Sequence, residues 1–147
     1  MLNLSKKILV AIDGSPQSDK AAEEAVRLVA VGAGACRHRL YAVMVLPTLA
    51  KSPFLPNTPL SERPDWEEKR RRAFYVVEKA AGEAAVRVEN IIVYGDPVEE
   101  ILRQARGLGC DLIVIGSSGK GVVKRTLEGS VSTKVTLKAD CSVLLVR

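Results

Sequence analysis

The sequence predicts an α/β fold in which a five-stranded parallel sheet lies between two layers of helices. Apolar runs alternate with segments of helical periodicity, and the run at residues 6–12 is continuously apolar. Such runs are typical of parallel strands that are buried on both faces. Because right-handed crossovers connect strands of this kind, the alternation predicts a three-layer α/β/α sandwich with the strand order 3-2-1-4-5.

Each element is predicted from its own pattern. Asp65 is a good N-cap for the second helix, and Asp96 caps a third helix that has Pro97 in its first turn. The predicted strands are residues 6–12, 38–46, 86–94, 111–116 and 141–147. The predicted helices are residues 18–33, 65–85, 97–109 and 129–139.

A proline-rich segment interrupts this alternation. Residues 47–64 contain prolines at positions 47, 53, 56, 59 and 64, which excludes helix and sheet and predicts a long surface loop. Trp66 follows directly, and we expect it to anchor that loop rather than to stack on a base.

The composition is that of one soluble globular domain, residues 1–147. The sequence is 47% hydrophobic and 27% charged, which excludes a disordered chain. No apolar stretch is long enough to span a bilayer, and no leader pattern precedes the first strand, so we expect a cytoplasmic protein. The net charge of +5 comes from basic residues interleaved with acidic ones, and aromatic residues make up only 4%, so nucleic-acid binding is disfavoured.

The cysteines and the histidine do not indicate a metal site. Cys36, Cys110 and Cys141 are widely spaced and form no CxxC pair. The last two lie beside apolar strands, where we expect them to be small buried hydrophobic residues. His38 has no evident partner ligands.

The predicted strand order places a binding cleft between the first and fourth strands. Ligands of open α/β sheets bind at the carboxyl ends of the strands, where the winding reverses. The loops "IDGS", after the first strand, and "GSSGKG", after the fourth, would meet there. The cleft is therefore expected to be flexible, basic and suited to an anion.

The glycine loop does not match the two most familiar phosphate-binding patterns. A Walker A loop requires Lys and Ser or Thr after its last glycine, where this sequence has Val122 and Val123. The dinucleotide pattern fails because Lys124 replaces its third glycine. The spacing that does occur is Gly-x-x-Gly, nine residues, then Gly-Ser, at positions 116, 119, 129 and 130.

This spacing fits the binding of a phosphate group. Gly116 and Gly119 would let backbone amides approach an anion and adopt positive φ. Ser130 opens a helix whose first amides favour negative charge, and Ser132 adds a second hydroxyl. Counter-charge is available from Lys120, Lys124 and Arg125. The alternative is that Ser130 is only an N-cap and the glycines only a flexible turn.

The glycine spacing and several other segments resemble the ATP-binding branch of the universal stress protein family. The similar segments are "ILVAIDGS", "YGDPVEEIL", "DLIVIGSSGKG", "LEGSVSTKV" and "CSVLLVR", which together span essentially the whole chain. The resemblance implies an adenine nucleotide alpha hydrolase-like fold that binds ATP, with Mg or Mn bound through the phosphates.

The resemblance also assigns roles to particular residues. Asp13 would lie near the ribose or a phosphate-bound metal ion, Val45 would offer backbone hydrogen bonds to adenine, and Ile115 and Gly116 would line the adenine and ribose side. The phosphates would be held by Gly119, Gly129, Ser130, Val131 and Ser132. Asp13 has an alternative role, which is to cap the turn that follows it.

The sequence departs from the family pattern at two positions. Ala11 stands where many members have proline, a change of little consequence. Ser118 stands where Arg or His is common, which removes a positive charge that the adjacent Lys120 would replace.

The implied function is that of a nucleotide-dependent stress-response or signalling module with at most slow ATP hydrolysis. An adenylating enzyme of the related ATP pyrophosphatase type is the alternative, but the loop "DGSPQSD" lacks the paired glycines of that class. The resemblance further implies a homodimer formed by antiparallel pairing of residues 142–147, an edge strand. Alternatively, the 47–64 loop covers that edge.

Overall fold

Strands alternate with helices throughout the part of the chain that the structure describes. The computed structural model describes residues 5–31, 38–46, 65–117 and 130–147. Within these ranges the elements are β1 (Lys7–Ala11), α1 (Pro16–Val31), β2 (Arg39–Leu46), α2 (Trp66–Glu83), β3 (Val88–Tyr94), α3 (Pro97–Leu108), β4 (Leu112–Gly116), α4 (Val131–Lys138) and β5 (Ser142–Val146). All nine correspond to predicted elements, with ends displaced by one or two residues. The proline-rich segment 47–64 and Cys36 lie outside the described residues.

The five strands form one parallel sheet in the predicted order, β3-β2-β1-β4-β5. The direction of winding reverses between β1 and β4, which are hydrogen-bonded neighbours. This reversal is the switch point that the sequence predicted. β5 lies at an edge, as expected, and pairing of that edge with a second copy stays a prediction.

Two apolar clusters, one on each face of the sheet, make up the core. Residues of α1 and α2 pack on one face against side chains that include Val10 and Val114. Residues of α3 and α4 pack on the other against Leu9 and Ile113. Because Leu9 and Val10 are both fully buried, the central strand is covered on both sides, which explains its continuous apolar run.

The predicted caps have different outcomes at the two helices. Asp96 caps α3 as expected, since its Oδ2 accepts a hydrogen bond from the amide of Glu99 at 3.0 Å. The prediction that the Asp65 side chain caps α2 is wrong, because it makes no capping hydrogen bond. Its φ and ψ of −90° and −1° are helical, whereas a capping carboxylate requires an extended residue. Asp65 instead forms an ion pair with Lys69.

The remaining predicted positions agree with the structure only in part. Trp66 is buried in the cluster beneath α1 and α2, although the loop that it was expected to anchor is not described. Cys110 is buried and Cys141 is half-buried. His38 accepts a hydrogen bond from the amide of Lys6 through Nδ1. In the part of the chain that the structure describes, no helix is long and apolar enough to cross a membrane.

Candidate functional site

A cavity of about 420 Å³ opens at the carboxyl ends of β1, β2 and β4. Its volume is within the range of about 300–1,000 Å³ that is usual for small-molecule sites. The cavity lies beside the β1–β4 boundary, where the switch point was predicted. Its lining comprises Ala11, Ile12, Asp13, Ser15, Gln17, Ser18, Val43, Val45, Pro97, Ile101, Ile115, Gly116, Ser117, Ser130, Val131 and Ser132.

The structure brings eight of the twelve predicted site residues to this one cavity. They come from three strand ends and the start of α4, and they are Ala11, Asp13, Val45, Ile115, Gly116, Ser130, Val131 and Ser132. The other four, Ser118, Gly119, Lys120 and Gly129, lie outside the described residues. Convergence of the eight is a geometric fact, and their contact with a ligand stays a prediction.

One wall of the cavity is apolar. Val43 and Val45 of β2 and Ile115 of β4 contribute to it, together with Pro97 and Ile101 from the start of α3. Branched aliphatic side chains and a proline ring suit the flat face of an aromatic ligand group. The α3 residues were not predicted as site residues, because their sequence indicated only a capped helix.

The start of α4 supplies the polar end of the cavity. Ser130 Oγ accepts a hydrogen bond from the amide of Thr133 at 3.1 Å and donates one to Thr133 Oγ1 at 2.6 Å. Ser130 is therefore an N-cap, as the simpler alternative held, and it also lines the cavity. The amides of Val131 and Ser132 belong to the first turn, where amides lack intrahelical acceptors and attract anions.

Gly116 is required by a close approach of two backbones. A Cβ at this position would lie 2.5 Å from the carbonyl oxygen of Gln17, in the first turn of α1. The expected positive φ at Gly116 is wrong, since among the described glycines only Gly14, Gly95 and Gly109 have positive φ. Contact between α1 and the end of β4, rather than a left-handed turn, excludes a side chain here.

The turn after β1 supplies the remaining polar groups. Asp13 is exposed, and its Oδ1 accepts a hydrogen bond from the amide of Ser15 at 2.9 Å. Asp13 thus caps the turn, as the alternative held, and it also lines the cavity; its contact with a ligand stays a prediction. Sequence reasoning missed Ser15, Gln17 and Ser18 as lining residues, since "DGSPQS" indicated only a turn and a helix start.

The described lining has little charge. Asp13 is the one ionisable side chain among the lining residues that the structure describes. The basic residues Lys120, Lys124 and Arg125 belong to the segment 118–129, which is not described. Within the described lining, hydroxyl groups and helix-start amides are therefore the groups available to an anion.

The single carboxylate of the described lining is suited to a metal ion that enters bound to a ligand. Among the described residues no group of three His, Cys, Asp or Glu side chains is placed to hold a metal ion. Mg²⁺ commonly binds through one or two carboxylates together with substrate phosphates. The single carboxylate of Asp13 fits that mode of binding.

Comparison with known proteins agrees with the fold and identifies the family. The model of the universal stress protein family matches residues 5–147. Universal stress protein YxiE of Bacillus subtilis (strain 168) is 35% identical over 147 residues, covering 96% of this chain and 98% of that protein.

Two solved structures share the fold. A universal stress protein in complex with cAMP has a TM-score of 0.72 at 22% identity, covering 97% of this chain and 96% of its own. The Archaeoglobus fulgidus universal stress protein in complex with dAMP has a TM-score of 0.68 at 20% identity, covering 97% and 98%. The match to the family model over residues 5–147 and the 35% identity to YxiE show that this chain is a member of the universal stress protein family, and its fold agrees with that conclusion.

Proposed function

We propose that this chain is an ATP-binding universal stress protein, a module whose bound nucleotide alters its association with protein partners. The observation that carries the proposal is the convergence of eight predicted site residues from β1, β2, β4 and α4 on one cavity. The two nucleotide-bound relatives hold ligands of the same chemical class, but at 20% and 22% identity they support the fold alone.

In the proposed complex each part of ATP would contact a different part of the cavity. Adenine would pack on the apolar wall and bond to the backbone of Val45. The phosphates would lie at the start of α4, against the amides of Val131 and Ser132. The Ser130 hydroxyl would contact them by turning away from Thr133 Oγ1, to which it donates in the structure, and Gly119 and Gly129 would complete the motif. Mg or Mn would bind through the phosphates, and Asp13 is the side chain placed to contact it or the ribose.

The remaining parts of the proposal concern assembly and turnover. We expect a cytoplasmic homodimer formed through residues 142–147, of which Leu145 is 41% exposed on the edge strand. Any hydrolysis of ATP would be slow, because the described lining offers no arginine to stabilise the transition state and no carboxylate besides Asp13 to orient the attacking water.

The nucleotide itself provides the first test. We expect denatured, freshly purified protein to release ATP or another adenine nucleotide, identified by chromatography and mass spectrometry, and stripped protein to bind Mg-ATP in calorimetry. Gly129→Lys should abolish binding and leave the circular dichroism spectrum unchanged, because its side chain would enter the phosphate region. Gly107→Lys is the matched control, since no atom lies within 4 Å of a Cβ there. Undiminished ATP affinity in folded Gly129→Lys would refute the phosphate assignment.

A further inference from the structure

The turn between β1 and α1 is closed by a ring of three hydrogen bonds. The amide of Asp13 donates to Ser18 Oγ at 2.9 Å, and the amide of Ser18 donates to Ser15 Oγ at 3.2 Å. The amide of Ser15 completes the ring by donating to Asp13 Oδ1 at 2.9 Å. Each side chain accepts from the backbone of another member, so the three side chains hold one another in place at the cavity wall.

Ser18 has one hydrogen-bonding capacity left over. Ser18 is only 5% exposed, and its Oγ accepts a hydrogen bond from the amide of Asp13. The hydrogen of that hydroxyl group has no acceptor among the described residues. Helical hydroxyls often donate to the carbonyl four residues earlier, as Thr136 does to Ser132 at 2.7 Å. Ser18 makes no such bond within the described chain. A buried donor without an acceptor is costly, and this one lines the cavity.

Asp13 offers the complementary group beside it. Its Oδ1 is occupied by Ser15, and no described residue donates to its Oδ2. The turn therefore presents a hydroxyl donor and a carboxylate acceptor, fixed in one rigid ring. A hydroxyl group of a ligand can accept from the first and donate to the second, whereas a phosphate oxygen can only accept.

The start of α1 is also a poor phosphate site compared with the start of α4. Pro16 occupies its first helical position and has no amide hydrogen, and the Asp13 carboxylate repels a nearby anion. At α4 the first turn retains the amides of Val131 and Ser132. Both differences direct the phosphates to α4 and leave the α1 turn to an uncharged, hydroxyl-bearing part of the ligand.

We propose that Ser18 is a specificity-determining residue for the sugar of the nucleotide, and that its hydroxyl donates to a ribose hydroxyl beside the Asp13 carboxylate. This inference rests on the proposed nucleotide function and extends it to a choice between ribose and deoxyribose. A site that bonds to a ligand hydroxyl discriminates against the analogue that lacks it.

The experiment compares the dissociation constants of ATP, 2′-deoxyATP and 3′-deoxyATP by calorimetry. We expect the wild-type chain to bind at least one deoxy analogue roughly ten-fold more weakly than ATP. Ser18→Ala should lower this ratio, because Asp13 alone would then contact the ribose hydroxyls, and Ser18→Thr, which keeps the hydroxyl, should restore it. Val29→Ala is the control, because it removes core packing at the far end of α1 and should leave the ratio unchanged.

The ratio of the dissociation constants for the deoxy analogue and ATP distinguishes a loss of ribose recognition from a loss of protein stability. A variant that is merely destabilised weakens all three nucleotides equally, so its ratio stays at the wild-type value. The wild-type measurement requires no variant, and Ser18→Cys provides a weaker donor of similar size if Ser18→Ala does not fold. Equal binding of the three nucleotides by the wild type, or an unchanged ratio in Ser18→Ala, would overturn the ribose assignment alone. Failure to bind any of the three would overturn the proposed function and this inference with it.

Discussion

Gly116→Ala is the substitution that best tests how α1 and β4 are joined at the cavity. The new Cβ would lie 2.5 Å from the carbonyl oxygen and 2.6 Å from the carbonyl carbon of Gln17, whereas ordinary contacts begin at 3.4 Å. The carbonyl must therefore move by about 0.9 Å. Because these are backbone atoms, a side-chain rotation cannot relieve the clash, and the first turn of α1 must shift.

Overpacking of this kind costs about 1–3 kcal/mol, so we expect the free energy of unfolding to fall by about 2 kcal/mol. For a chain of this size the melting temperature should fall by roughly 5 °C. Urea denaturation followed by circular dichroism would measure the change. Because Gln17 adjoins Ser18, ATP affinity should fall as well.

Gly82→Ala is the matched control for the same substitution. A Cβ there has no neighbour within 4 Å and Gly82 is helical, so the variant should gain about 0.5 kcal/mol through the lower entropy of its unfolded chain. Surface substitutions typically change the free energy of unfolding by no more than about 0.5 kcal/mol. If the free energy of unfolding of Gly116→Ala lies within that range of the wild-type value, the close approach of α1 to β4 is refuted.

Two further predictions concern the α3 cap and a buried thiol. Asp96→Ala should lower the free energy of unfolding by about 1 kcal/mol, because the amide of Glu99 loses its acceptor. Asp96→Asn, whose side-chain oxygen can still accept, should retain most of the wild-type stability. Equal losses of stability in the two variants, measured by urea denaturation, would contradict the cap. Burial raises the pKa of Cys110 from 9.0 to about 11, so above pH 9 the thiol ionises in the unfolded chain before it does in the folded one. The free energy of unfolding should therefore fall as the pH rises from 9 to 11, and this slope should be smaller in Cys110→Ala; an equal slope in both proteins would show that Cys110 is not its source.

The sequence was sufficient to predict the strands and their order. Continuous apolar runs and helical spacing report burial, and burial fixes which segments are strands and which are helices. The first and last residues of the elements were predicted less accurately, because they depend on individual hydrogen bonds. Ile12, for example, was assigned to the first strand, but it lies beyond β1, although its amide still donates to Val43 at 2.9 Å.

Residues of the cavity were predicted only from the glycine and serine spacing or from the family resemblance. The glycine and serine positions around β4 and α4 follow a recognisable motif, so Gly116 and Ser130 were identified. Ser18 was not identified, because a serine at the start of a helix usually only bonds to its own helix or to water. Its hydrogen bond with the amide of Asp13, five residues earlier, becomes visible only in the structure. Ile101 was missed because only the packing of α3 brings it to the cavity.

The reversal of winding explains why one cavity contains such different surfaces. α1 and α4 follow β1 and β4, which are neighbours, yet they pack on opposite faces of the sheet. Their first turns therefore diverge and leave a cleft between two helix starts. Each start is capped in the same way, with Ser15 accepting from Ser18 and Ser130 from Thr133.

The two helix starts differ in what they leave for a ligand. In the proposed nucleotide complex, Pro16 and Asp13 would leave the α1 side to the ribose hydroxyls, and the amides of the α4 side would hold the phosphates. A nucleotide has hydroxyl groups on its sugar ring and phosphates on the 5′ carbon of the same sugar, and the apolar wall of β2, β4 and α3 would contact its base. We therefore expect the cavity to orient a nucleotide by its base, sugar and phosphates, and we expect Ser18→Ala to alter the preference between ribose and deoxyribose without reversing that orientation.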